Sequence, residues 1–275
     1  MQSRDSREPS ARQRTSLWQS LRIQQRVIGA LLMREVLTRF GRHNIGFLWL
    51  FIEPMIFTVA ITVLWTFLRS VTGAGSAIPI VAFAITGYSS VLLWRNMPGH
   101  CIGAVEPNRS LLYHRNVKVI DVYLSRLTLE AVGATISFVV LIALAVASGL
   151  IPGPEDILKV FAGWAMLAWF GFSLALFLAP LAEKVSLVQK LWGPASYIMF
   201  PLSGVAFLVD ALPPAAREIV LLFPMVHGLE LLRDGYFGSA FNAHYDMFYM
   251  TVCCALLTLF GLAQVRDISH KGVLD

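Results

Sequence analysis

Apolar residues run through this chain in six long stretches separated by polar segments: Gly46–Leu68, Ile78–Trp94, Leu127–Ile151, Ile157–Leu181, Leu191–Val209 and Asp246–Val265. Each approaches the roughly 20 residues with which an α-helix crosses about 30 Å of hydrocarbon. The pattern predicts an all-α membrane protein with six transmembrane helices. Ahead of them, Leu32, Met33, Val36, Leu37 and Phe40 share one helical face while Arg34, Glu35, Thr38, Arg39 and Arg42 share the other. An amphipathic interfacial helix is therefore expected over residues 22–45, its apolar face in the acyl boundary and its basic face toward lipid headgroups. An ordinary packed amphipathic helix is the alternative. Residues 1–21 read as a flexible cytoplasmic tail, 46–265 as one transmembrane domain and 266–275 as a second cytoplasmic tail.

Composition agrees with this picture. Of 275 residues, 56% are hydrophobic and 14% charged, against roughly 45–50% and about 25% in soluble domains. The net charge of +5 resolves by side: eighteen basic residues fall in the N-terminal region, 95–126, 182–190 and the C-terminal tail, and four (Arg69, Lys159, Arg217, Arg233) fall in the alternate segments. That asymmetry places both termini and the 95–126 loop in the cytoplasm and 210–245 outside, and explains the basic excess without nucleic acid. Trp49, Trp65, Trp94 and Trp192 sit near expected span ends, as interfacial indoles do. Three cysteines, Cys101, Cys253 and Cys254, lack any metal-binding or disulfide spacing and read as structural thiols. No matched Gly/Pro interruptions mark inverted repeats.

Three segments are more than spans. The stretch from Gly103 to Asp121 is polar with a compact apolar set. Pro107 suits a helix start with Glu106 and Asn108 beside it, Leu111, Leu112 and Val117 are placed to pack, and Arg109, Arg115 and Lys118 to meet a partner. A solvated loop is the alternative. Within 210–245, the runs Ile219–Phe223 and Val226–Leu232 are too short to cross and are parted by Pro224, so two short re-entrant helices are expected, which irregular backbone at membrane depth permits only beside protein or water. A simple extracellular loop is equally economical. Glu53-Pro54 puts an acid about 10 Å into the first span, a functional-site hypothesis unless Arg34, Arg39 or Arg42 folds back to pair with it. His227, beside Pro224, reads as a gate residue or as a satisfied structural histidine. Asn108-Arg109-Ser110 matches a glycosylation acceptor but falls on the cytoplasmic side.

The chain has no G-x-x-x-x-G-K-[S/T], and no Gly-Lys dipeptide at all, so it carries no phosphate-cradling nucleotide loop. With few acids in its spans, chiefly Glu53 and Glu130, uphill transport calls for a separate ATP-hydrolysing subunit rather than an ion gradient.

Leu31-Leu-Met-Arg-Glu-Val-Leu-Thr-Arg-Phe-Gly-Arg-His-Asn-Ile-Gly-Phe-Leu-Trp-Leu-Phe-Ile-Glu-Pro54 resembles the opening of ABC-2 class inner-membrane permeases. Ile102-Gly-Ala-Val-Glu-Pro-Asn108, Val117-Lys-Val-Ile-Asp121, Ile198-Met-Phe-Pro-Leu202 and Pro224-Met-Val-His-Gly-Leu-Glu230 resemble its capsular polysaccharide export branch. The resemblance covers about residues 25–265. It implies a homodimeric permease with six spans that is not itself an enzyme, holds no cofactor and works with two ATP-binding subunits that carry ATP and Mg. It further implies a periplasm-spanning export partner, an outer-membrane channel and a lipid-linked anionic polysaccharide as substrate.

On the same resemblance, Glu106, Pro107, Asn108, Arg109, Leu111, Leu112, Tyr113 and Arg115 form the ATPase-coupling loop, and Pro224, His227, Glu230 and Arg233 belong to an extracytoplasmic gate. Arg34, Arg39 and Arg42 would receive the anionic end of the glycolipid, with Glu53, Trp49 and Tyr88 along its path. Leu212-Pro213-Pro214-Ala-Ala departs from the more polar sequence expected there. Export of another lipid-linked glycan (O-antigen or teichoic acid), ion-coupled transport, and a membrane-embedded glycolipid enzyme or scaffold are the competing readings.

Overall fold

The computed structural model describes residues 17–40, 44–72, 78–112 and 117–271. Among these residues the chain is helical: α1 (Leu17–Phe40), α2 (Asn44–Thr72), α3 (Ile80–Cys101), α4 (Arg109–Leu112), α5 (Val119–Ala147), α6 (Ile157–Lys184), α7 (Ser186–Leu202), α8 (Pro214–Val220), α9 (Pro224–Phe237) and α10 (Met247–Lys271). Four helices are long and apolar enough to cross a membrane, over Leu48–Val71, Val119–Ala147, Ile157–Lys184 and Met247–Ser269. They correspond to the first, third, fourth and sixth apolar stretches.

The second and fifth stretches form α3 and α7, and they differ from those four for opposite reasons. α3 is buried without a break from Ala82 to Trp94. A helix enclosed by protein needs no lipid-facing exterior, so it tolerates hydroxyls that are bonded internally. Thr86 Oγ1 donates to Ala82 O at 2.8 Å and Ser90 Oγ to Thr86 O at 2.5 Å. α7 has 17 residues with Pro194 and Pro201 inside it, and Ser196 is its one buried residue. At about 1.5 Å per residue it falls a little short of a bilayer core.

Helix ends depart from the apolar boundaries because hydrogen bonding, rather than hydrophobicity, ends a helix. α3 runs on past Trp94 to Cys101, and α10 past Val265 to Lys271. α5 starts at Val119, well before Leu127, where the Asp121 carboxylate accepts the Lys118 N–H at 2.9 Å. α1 begins at Leu17, inside the segment expected as tail.

α6 lies at the centre, packed on α3, α9 and α10. Gly163 lets α9 sit flush against it, since a Cβ there would come within 2.6 Å of the Leu232 nitrogen. Phe138 and Trp164 stack between α5 and α6 with centroids 4.2 Å apart. α2 stands at the edge, with 11% of its most apolar segment buried. Its Thr58, Thr62 and Thr66 hydroxyls donate back to the carbonyls of Pro54, Thr58 and Thr62 at 2.7–2.8 Å, so these three hydroxyl protons are paired within the helix. In α1, Met33 and Leu37 stay exposed, while Arg34 and Arg39 turn toward the protein. Those two side chains therefore meet the α3–α5 loop and α5, where amide and carboxylate partners await them.

Candidate functional site

Where α3 approaches the α3–α5 loop, the helices surround a cavity of about 760 Å³. α2 contributes Trp49, Leu50, Glu53, Pro54 and Phe57, a spacing that keeps them on one helical face. α3 contributes Tyr88, Leu92, Arg95, Asn96, Gly99 and His100; α7 contributes Trp192, Ser196 and Tyr197; Arg39 and Glu130 complete the wall from α1 and α5. Aromatic rings and ionisable groups thus share one open space. Trp49 and Tyr197 are exposed, whereas Tyr88 is buried with its ring edge-on to Phe200 at 5.8 Å.

Of the residues expected along a substrate path, Arg39, Trp49, Glu53 and Tyr88 meet in this cavity. Arg34 lies in an adjoining hollow of about 400 Å³ with Pro107, Asn108 and Arg126, and Arg42 lies outside the described residues. The two arginines are bonded within the protein. Arg34 Nη1 donates to Asn108 Oδ1 at 2.5 Å. Arg39 donates through Nε to Glu35 at 2.8 Å and through Nη1 to Glu130 at 2.5 Å. Arg126 Nε lies 3.1 Å from Glu35, and its Nη1 donates to His100 O at 2.7 Å. Neither Arg34 nor Arg39 pairs with Glu53, which faces the cavity instead.

Arg95 is differently placed. Its Nε reaches Ser196 Oγ at 3.3 Å and its guanidinium lies 4.3 Å from the centre of the Tyr197 ring. Among the described residues no carboxylate is within ion-pair distance of it. Sequence reasoning missed Arg95 and Tyr197 as site residues, and read Trp192 only as an interfacial anchor. The available signal was Arg95-Asn96 prolonging α3 beyond its apolar run.

In the loop, Glu106–Asn108 form a 3₁₀ turn and Arg109–Leu112 the single turn α4. Glu106, Pro107 and Arg109 are exposed, and Leu111, Leu112 and Val117 pack on the core. Asn108 is buried and donates through Nδ2 to Ala104 O at 2.8 Å. Tyr113 and Arg115 lie outside the described residues.

At the α9 end, Pro224 opens the helix at a position where its missing N–H has no partner to lose. His227, Glu230 and Arg233 follow on successive turns, all buried. His227 Nδ1 accepts the Asp246 N–H at 2.8 Å and Nε2 lies 2.8 Å from Leu221 O. Burial holds this imidazole below its usual pKa, so the neutral ring with its proton on Nε2 satisfies both contacts. Glu230 Oε2 accepts the His244 N–H at 3.0 Å, while Oε1 is buried with no partner among the described residues. Burial pushes its pKa up to about 7. Arg233 donates to the carbonyls of Gly204 at 2.7 Å, Val205 at 2.9 Å and Phe207 at 3.3 Å, beneath the Phe83 ring at 3.8 Å.

The chain matches the ABC-2 type transporter family over residues 26–237. Capsule polysaccharide export inner-membrane protein CtrC of Neisseria meningitidis serogroup B is 47% identical over 260 residues, covering 94% of this chain and 97% of that one. BexB of Haemophilus influenzae, described in the same words, is 42% identical over 259 residues, with 94% and 97% covered. Polysialic acid transport protein KpsM of Escherichia coli is 22% identical over 244 residues, with 89% and 94% covered. A family match over most of the chain and nearly full-length relatives lead to one conclusion: this chain belongs to the ABC-2 type transporters.

Proposed function

We propose that this chain is the permease subunit of an ATP-driven exporter that moves lipid-linked capsular polysaccharide across a bacterial inner membrane. The observation that carries the reading is the cavity shared by Trp49, Tyr88, Trp192 and Tyr197 with Arg39, Arg95 and Glu53. Aromatic faces stack on sugar rings and charged groups bind hydroxyl and acidic substituents. The relatives named above supply the substrate class.

On this reading α2, α3, α5, α6, α7 and α10 are the six spans of each protomer of a homodimer, with α3 enclosed by its own chain and α7 covered in the assembly. Both termini and the 106–112 loop are cytoplasmic, and α8 with α9 forms the extracytoplasmic gate region. Two ATP-binding subunits, carrying ATP and Mg, dock on exposed Glu106, Pro107 and Arg109, and on Tyr113 and Arg115, which follow in the sequence. A periplasm-spanning export partner and an outer-membrane channel continue the route. Docking is felt in the cavity through a short chain of contacts: Arg34 ties the loop to α1 at Asn108, and Arg39 ties α1 to α5 at Glu130.

Cysteines placed at Glu106 and Arg109 should crosslink to a co-purified ATPase, and deletion of the chain should leave glycolipid inside the cell. A loop that contacts no ATPase, or a deletion strain that keeps its capsule, would overturn the assignment.

A further inference from the structure

We propose that Arg95, held over Tyr197, is the residue by which this cavity distinguishes an acidic saccharide from a neutral one. This rests on reading the cavity as the glycan path.

Two guanidinium groups line the wall, and their surroundings differ. The charge of Arg39 is met by Glu35 and Glu130 at 2.8 and 2.5 Å. Among the described residues the charge of Arg95 is met by no carboxylate; a hydroxyl lies at 3.3 Å and the face of a tyrosine at 4.3 Å. Those two contacts fix the guanidinium plane through Nε and the ring, and neither Nη group has a hydrogen-bond partner among the described residues. A guanidinium held in this way offers two parallel N–H donors, the arrangement that a carboxylate or phosphate accepts bidentately and that an ammonium cannot reproduce. Trp192 and the exposed Tyr197 stand beside it on α7, so a sugar ring carrying the acid has an aromatic face at hand.

A carboxylate on α2 adds a constraint on orientation. Glu53 on α2 faces the same cavity, and among the described residues it has no ion-pair partner. A carboxylate there repels an acid group and accepts sugar hydroxyls. An acidic saccharide therefore lies with its anionic substituent toward α3 and α7 and its hydroxyls toward α2.

The same oxyanion chemistry is carried by a phospholipid headgroup, so the test has three ligand arms. The full chain, purified in a polyoxyethylene detergent, is titrated with an oligomer of galacturonic acid, with the same oligomer after reduction of its carboxyls to alcohols, and with a short-chain phosphatidylglycerol. Binding is read from intrinsic tryptophan fluorescence. The wild-type chain should prefer the acidic to the reduced oligomer by about tenfold. Arg95→Gln should bring that preference below about twofold, and Arg95→Lys should retain part of it.

Equal or absent binding of the two oligomers by the wild-type chain would overturn the proposal, as would an undiminished preference in Arg95→Gln. Binding of phosphatidylglycerol that is lost in Arg95→Gln and excludes the acidic oligomer would assign the site to a headgroup and overturn it too. Arg95→Lys preserves charge and volume, so it keeps the test decisive if the Gln variant fails to fold. Failure of the underlying reading shows elsewhere, as a deletion strain that keeps its capsule whatever Arg95 binds.

Discussion

The packet around α9 and the cavity between α2, α3 and α7 each hold an arginine, a glutamate and aromatic rings, and they use them in opposite ways. Arg233 is wholly buried, with three backbone carbonyls as its acceptors. Arg95 is half-buried, bonded to one serine hydroxyl and laid on an accessible ring. His227 has both ring nitrogens engaged by backbone groups, whereas Glu53 stands in open space. A polar side chain saturated by its own backbone acts as a fastener. One that keeps free donors beside an aromatic face in an open cavity is suited to a ligand.

Removing the fastener should have the largest effect. Arg233→Met strands three carbonyls in a dry interior at about 1–3 kcal/mol each before relaxation, so a loss of at least about 3 kcal/mol is expected. Thermal unfolding in detergent would show it, along with poor yield. Arg95→Gln, measured in the same way, should change stability by no more than about 0.5 kcal/mol. Similar losses for the two variants would erase the distinction.

Glu230 offers a test by pH. Its pKa, raised by burial to about 7, lies above the unfolded value of 4.5. Such a group contributes stability that is fully present below the unfolded value and is lost as the pH rises through about 7. At about 1.4 kcal/mol per unit, the fall is up to about 3 kcal/mol. Glu230→Gln should flatten that slope and exceed the wild-type chain in stability at pH values above it. An unchanged slope would mean that the buried Oε1 has found a partner.

Gly87 probes the same packet through packing. A Cβ there would lie 2.7 Å from Arg233 Nη2 and 2.9 Å from Val205 Cγ2, and the bonds to Gly204 and Val205 hold that guanidinium in place. Gly87→Ala should therefore cost about 1–3 kcal/mol. A milder cost would show that Arg233 can move without losing its carbonyls.

How much of this was legible in the sequence follows from range. The apolar runs of α2, α5, α6 and α10 were visible because a helix long enough to cross hydrocarbon must be apolar along most of its length, and the amphipathic face of α1 because its period is local. The enclosure of α3 was not legible, since nothing local to Thr86, Ser89 and Ser90 shows which neighbouring helices bury them. The cavity was half legible: Glu53 stood out as an acid within a span, but Arg95 looked like one more basic residue at a cytoplasmic boundary. Its ring partner, Tyr197, is 102 residues away, and no pattern along the chain joins them. The inward turn of Arg34 and Arg39 was hidden for the same reason, because Asn108 and Glu130 lie 74 and 91 positions further on.

Arg39 falls between the two classes, and the smallest predicted effect decides where it belongs. It lines the cavity as Arg95 does, but its charge is met within the protein as that of Arg233 is. Single substitutions would confuse the two roles, because Arg39→Gln loosens Glu35 as well as Glu130. A double-mutant cycle with Arg39→Gln and Glu130→Gln cancels the Glu35 contribution and isolates the bridge from α1 to α5. With side-chain exposures of 20% and 11% at 2.5 Å, the coupling in thermal stability should be about 1 kcal/mol. A coupling of zero would release Arg39 from its role as a strut, and the cavity would then hold two receptive cations rather than one.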